Sequence, residues 1–169
     1  MVADALAERW ELQRAKPRFR ALLAEGRASD LGAHPPPRVV VLWPQTFMNE
    51  AGRTVGPARG SYKLPLERVV AVHDEIDIPF GDVRPRLGGG LAGHNGLKSL
   101  RRELGGADFW RVRVGVGRPD STDPEIVSAH VLGRFCESPD NVRRLVERAA
   151  DAVERLVAGE EAKRLVAEQ

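Results

Sequence analysis

The sequence predicts an α/β fold, a three-layer sandwich in which a mixed, mostly parallel sheet is flanked by helices. Three observations carry this. Strand-like and helix-like segments alternate along the chain. Residues 69–72 are almost continuously apolar, as in strands buried on both faces of parallel sheets. That strand runs directly into His73, Asp74, Glu75 and Asp77, which puts acidic groups at a strand's carboxyl end, where open α/β sheets build their sites. A length of 169 residues suits one domain, and a 42% hydrophobic share suffices for its core.

In chain order, residues 2–14 place Val2, Leu6 and Trp10 at helical spacing, an amphipathic helix that Pro17 ends. Residues 19–24 and 39–43 read as two strands. Gly26, Gly32 and Pro35, Pro36 and Pro37 make the stretch between them a turn, so a hairpin is expected. Residues 49–63 have the pattern of a helix with glycine flaws, and 81–87 that of a short strand. Gly88, Gly89, Gly90 and Gly93 then form a flexible loop, and 97–104 a helix stopped by Gly105 and Gly106. Residues 110–117 alternate strictly, with Val112, Val114 and Val116 on one side and Arg111, Arg113 and Gly115 on the other, as in a half-buried strand. Residues 141–158 form a long amphipathic helix with Val142, Leu145, Ala149 and Val153 on its apolar face. No repeat or linker interrupts, so residues 1–169 are read as a single domain.

Composition excludes several classes. No run approaches the roughly 20 apolar residues of a membrane span, and Asp4, Glu8, Arg9 and Glu11 break up any secretory leader. The single Cys136 excludes an internal disulfide and a cysteine-built zinc site; it reads as an inert core residue in a cytoplasmic protein. His34, His73, His94 and His130 have no metal-ligand spacing. The net charge of +2 hides an uneven distribution: residues 81–119 carry 8 basic and 3 acidic side chains, and 22 of the 26 basic residues are arginine. Arginine suits bidentate phosphate contact, although a GC-rich genome accounts for the same bias.

The loop at 87–96 runs into a helix, so free N–H groups would lie beside Arg84, Arg86 and Lys98, a place that favours anions; a mobile surface loop is the alternative. It lacks the ending of a Walker motif and the spacing of a dinucleotide fingerprint. Within it, Asn95 has both acceptor and donors with which to orient a water or a carbonyl. His73 and Asp74 are strand neighbours pointing to opposite faces, so Asp74 needs a partner from elsewhere. Around Asn49, either Phe47 and Met48 pack while Asn49 caps the following helix, or the asparagine serves a site.

The runs PQTFMNEAG (44–52), VVAVHDEIDIPFG (69–81), RLGGGLAGHNGLKSL (86–100) and FWRVRVGVGRP (109–119) resemble, in order and spacing, the bacterial peptidyl-tRNA hydrolase family. The resemblance implies an α/β sandwich that cleaves the ester between a peptide and the 3′ ribose of tRNA, without metal or cofactor, in recycling tRNA from stalled translation. It implies that Asp74 orients a catalytic histidine, that Asn49 and Asn95 hold the peptide and CCA end, and that His94 lines the same cleft. It also implies that Arg86 and Arg113 clamp the tRNA 5′ phosphate. The expected partner is peptidyl-tRNA, met through its acceptor stem and CCA end by a cytoplasmic monomer. Family members open with a strand, a GLGNPG loop and a Thr-Arg-His-Asn segment that holds the catalytic histidine. Here Met1 aligns inside the first helix, so an N-terminally truncated domain with impaired activity is expected, its missing strand leaving a seam beside residues 69–72 and 112–116. The alternative is a noncatalytic RNA-binding relative that keeps the tRNA surface.

Overall fold

The computed structural model describes residues 1–29, 31–91 and 93–159. Ala92, within the glycine-rich loop, lies outside the described residues. The elements run α1 (Val2–Arg9), β1 (Lys16–Arg18), β2 (Ala21–Arg27), β3 (Arg38–Pro44), α2 (Gly52–Tyr62), β4 (Val70–Glu75), β5 (Val83–Leu87), α3 (Asn95–Leu104), β6 (Trp110–Gly115), α4 (Pro124–Leu132) and α5 (Pro139–Val157).

The expected single, mostly parallel sheet is replaced by two three-stranded sheets, ordered β1-β2-β3 and β4-β6-β5. Only β4 and β6 pair in parallel; β1 with β2, β2 with β3, and β5 with β6 are antiparallel. The physical reason is connectivity. Helix-free connections join β1 to β2 and β2 to β3 as hairpins, whereas the link from β4 to β6 carries β5 and α3 before the chain returns in parallel. Phe19 and Arg20, both at positive φ, make the two-residue turn between Arg18 and Ala21. Pro17 therefore sits in an edge strand rather than ending a helix, which Trp10 already closes.

β3 and β4 each have one unpaired edge, and both line an apolar cleft of about 1500 Å³ together with Leu6, Trp10, Val153 and Val157. The expected seam is thus corrected in part. β4 borders it, whereas β6 is the central strand of its sheet, paired on both sides. Val72 is 38% exposed, so β4 is an edge strand and not one buried on both faces.

The helices lie on either side. α1 and α5 cover one face, where Leu6, Trp10, Ala149, Ala150 and Val153 pack with Val112. The amphipathic stripe of α5 supplies most of this layer, and Arg9 joins the two helices through Asp151 at 2.7 Å and Glu154 at 2.8 Å. On the other side Leu97, Leu100 and Leu104 of α3 pack on Phe109, with Ala71 and Val69 beside them. α4 starts at an Asp123 cap and keeps Leu132 exposed. Cys136 is exposed, contrary to its reading as a core residue, because the segment after α4 packs outside both apolar clusters. Among the described residues no helix is long and apolar enough to cross a membrane.

Candidate active site

The site forms where β4 ends against the start of α3. β4 delivers His73 and Asp74 from adjacent positions, and α3 delivers His94 as its cap and Asn95 as its first residue. His94 accepts a hydrogen bond at Nδ1 from the Leu97 backbone N–H, 3.3 Å away. With Nδ1 occupied as an acceptor, the neutral ring carries its proton on Nε2. That nitrogen faces Asp74 Oδ1 at 3.6 Å, ion-pair range but beyond a direct hydrogen bond, and it has no hydrogen-bond partner. Asp74 thus finds its partner from elsewhere in the chain. Interaction with His94 is the main cause that holds its carboxyl below the usual range, against the opposing effect of burial.

His73 is committed differently. Its Nδ1 lies 2.6 Å from the Asp74 carbonyl oxygen, which only accepts, so Nδ1 donates and Nε2 is left as a buried acceptor without a partner. Its ring meets that of His94 edge to face at 4.8 Å between centroids. Burial, first of all, pushes the His73 pKa down to about 4, so the ring is neutral at pH 7. A stability consequence follows. The unfolded chain takes up this proton near 6.5 and the folded chain only near about 4, so the contribution is complete above pH 6.5 and lost as pH falls toward 4. It amounts to about 3 kcal/mol. Asp74 acts in a separate window, its contribution present above pH 3.8 and lost below. We expect the melting temperature to fall from pH 6.5 to 4.5 and His73→Gln to flatten that fall; an unchanged slope in the variant would contradict the assignment.

Asn49 lies in a 3₁₀ turn, Met48–Glu50, and is exposed. It does not cap α2, whose cap position is Ala51 without a side-chain hydrogen bond. Phe47 does not pack either, being 82% exposed. Two close approaches hold this turn at the site. A Cβ on Gly96 would stand 3.0 Å from Met48 Cγ, and one on Gly52 would collide with the Ser99 backbone oxygen, so α2 and the turn before it lie directly on α3. The buried Ser99 hydroxyl accepts from the Gly52 N–H at 3.0 Å. Asn49 and Asn95 therefore belong to elements locked together beside His94 and Asp74. Among the described residues neither side-chain amide has a hydrogen-bond partner, which leaves both able to meet a ligand.

The basic residues form a flank to this site. Register pairs Arg86 with Arg111 and Arg84 with Arg113 across β5 and β6, so all four share one sheet face. His73 is opposite Arg113 on the same face. Arg84 is paired with Asp82 at 2.8 Å, an exposed ion pair at the edge of this group. Arg86 is exposed and Arg113 half-buried. Arg111, which the alternation of a half-buried strand would place at the surface, is 2% exposed. Its importance escaped the sequence reading, although its two-residue spacing from Arg113 is the signal that places both on one face. Among the described residues no group of three His, Cys, Asp or Glu side chains is arranged to hold a metal ion.

Fold and site together define an α/β protein with a carboxylate and imidazoles in a cleft flanked by arginine. The comparisons with known proteins agree with the α/β fold and add the family. The family profile described as Peptidyl-tRNA hydrolase matches residues 1–168. The peptidyl-tRNA hydrolase of Granulibacter bethesdensis is 43% identical over 160 residues, covering 94% of this chain and 78% of the relative. That of Frankia casuarinae is 46% identical over 160 residues, covering 94% and 77%. The crystal structure of peptidyl-tRNA hydrolase from Acinetobacter baumannii superposes with a TM-score of 0.77 at 32% identity, covering 96% of this chain and 79% of that one. This chain belongs to the peptidyl-tRNA hydrolase family.

Proposed function

We propose that the protein hydrolyses the ester bond of peptidyl-tRNA, releasing peptide and free tRNA, and that the residues described here supply the binding and orienting parts of that reaction. The observation that carries this reading is the carboxylate of Asp74 facing an imidazole at 3.6 Å, on a sheet whose neighbouring strands bear Arg86 and Arg113. In the reaction a base takes a proton from water, the water oxygen bonds to the ester carbonyl carbon, and the ribose 3′ oxygen leaves with a proton. The Asp74 carboxylate fixes the tautomer and orientation of the imidazole that acts as base. The side-chain amides of Asn49 and Asn95 hold the peptide and CCA end and donate to the developing oxyanion. His94 lines the cleft, and Arg86 and Arg113 hold the tRNA 5′ phosphate.

Neither described histidine at Asp74 suits the role of base. His94 has a protonated Nε2 and an Nδ1 engaged in capping α3, while His73 has too low a proton affinity. We therefore propose that this arrangement forms a weak catalyst, in which Asp74 has no imidazole ready to act as base among the described residues. The same commitment of both rings favours a second reading, an RNA-binding relative without catalysis. Turnover of N-acetyl-aminoacyl-tRNA with enzyme in excess separates them, because a weak catalyst gives slow release that Asp74→Asn abolishes, and a binding protein gives none.

The binding half has its own test, a salt titration of tRNA affinity. Arg86→Ala and Arg113→Ala should each flatten the log-log salt dependence by about one unit, the signature of one lost phosphate contact. Asn49→Ala and Asn95→Ala should weaken recognition of the CCA end and leave the slope unchanged, because neutral amides release no counterions. If the asparagine changes flatten the slope and the arginine changes do not, the clamp assignment is wrong.

A further inference from the structure

Arg111 is a buried cation that has no ion-pair partner among the described residues. Among the described residues no carboxylate lies within ion-pair distance of Arg86, Arg111 or Arg113. A guanidinium at 2% exposure ordinarily has a carboxylate or a full set of acceptors, since an uncompensated buried charge is costly. Arg111 has one recorded acceptor, the Gly90 carbonyl at 2.5 Å, and its Nε and Nη2 have none. The Arg113 Nε is likewise buried and unpaired.

The glycine-rich loop lies directly over this group. A Cβ at Gly89, where φ is +96°, would stand 2.7 Å from Arg111 Nη2 and 2.7 Å from Arg86 Nε, so the two guanidinium groups are close neighbours on either side of a backbone that only glycine fits. Like charges at such range repel, and packing holds them together. Burial, followed by the charges of Arg86 and Arg113, holds the Arg111 pKa below the ordinary guanidinium range, with Glu75 as a weaker opposing influence.

We propose that Arg111 is the positioning residue of the phosphate clamp: it pins the loop through Gly90, holds Arg86 out toward solvent, and supplies from beneath a third positive charge that a terminal phosphate dianion balances. This rests on the reading of Arg86 and Arg113 as ligands of the tRNA 5′ phosphate, and it extends that reading to a buried third cation. The clamp is assembled at the expense of the free protein's stability, because among the described residues the third charge has no ion-pair partner until the phosphate arrives.

The test uses the full chain and two acceptor-stem RNA hairpins ending in CCA, one with a 5′ monophosphate and one with a 5′ hydroxyl. Wild type should prefer the phosphorylated hairpin. Arg111→Met, which keeps the volume and removes the charge, should lower that preference about tenfold while the melting temperature stays level or rises, as replacement of uncompensated buried charge often does. Arg111→Lys keeps the charge without the planar fork and should fall between the two. A merely structural arginine predicts the opposite pattern, a lower melting temperature or failure to fold with the preference intact in whatever folds, and either result overturns the proposal. If wild type itself does not distinguish the hairpins, the clamp reading of Arg86 and Arg113 falls. If wild type distinguishes them and Arg111→Met does so equally, only the role of Arg111 falls.

Discussion

Assayed beside the Granulibacter bethesdensis relative, the chain should release peptide from N-acetyl-aminoacyl-tRNA about 100 to 10,000-fold more slowly, the range that general-base catalysis contributes. Asp74 is in place, yet both imidazoles near it are already engaged, one in capping α3 and the other with the Asp74 carbonyl. Affinity for tRNA should survive far better than turnover, since the arginine face does not depend on the base. Turnover equal to the relative's, and lost on His94→Ala, would show instead that His94 leaves its cap to act as base, and would overturn the role we assign to it.

The second large effect is on stability. Phe109 is completely buried, one residue before β6, where it packs with Leu97, Leu100 and Leu104 of α3. Phe109→Ala should destabilise the fold by about 3 to 5 kcal/mol through lost burial and the cavity left behind. For a domain of this size that corresponds to a fall in Tm of roughly 6 to 20 °C. α3 carries His94 and Asn95, so the same change should loosen the site, and tRNA binding should weaken in proportion as the helix loses its anchor. A Tm within about 3 °C of wild type would mean that α3 is held mainly by its contacts with α2, and not by the sheet.

The sequence was most informative where periodicity and stop signals coincide. α5 follows its apolar stripe, α3 ends at Gly105 in the left-handed conformation, and β6 begins at Trp110 as its alternation predicts. β1 was hidden because Pro17, a helix terminator in isolation, is tolerated in an edge strand whose residues are all exposed. α4 was missed because its Ile126, Val127, Val131 and Leu132 do not concentrate on one face and it buries none of its residues. The division into two sheets was out of reach, since a strand's local pattern does not state which edge will find a partner. At the site, the types and order of Asp74, His94 and Asn95 were legible, while their commitments were not. That the His94 ring caps its own helix, and that Arg111 is buried under glycine backbone, are results of packing between segments remote in sequence.

The contact between α1 and α5 sets a time order on folding. The hairpins of the first sheet join residues close in sequence, whereas the parallel pair aligns Val70 with Trp110 and the Arg9 pairs reach Asp151 and Glu154, spanning most of the chain. Long-range closures of this kind come late and slow the overall rate. During synthesis at about 5 to 20 residues per second, α1 is complete on the order of ten seconds before α5 exists to receive it. Over that interval Leu6 and Trp10, both buried in the finished protein, lack the cover of Ala149, Ala150 and Val153. α1 is therefore fully docked only when α5 arrives, and until then the nascent chain carries an incompletely covered apolar face that chaperones can recognise.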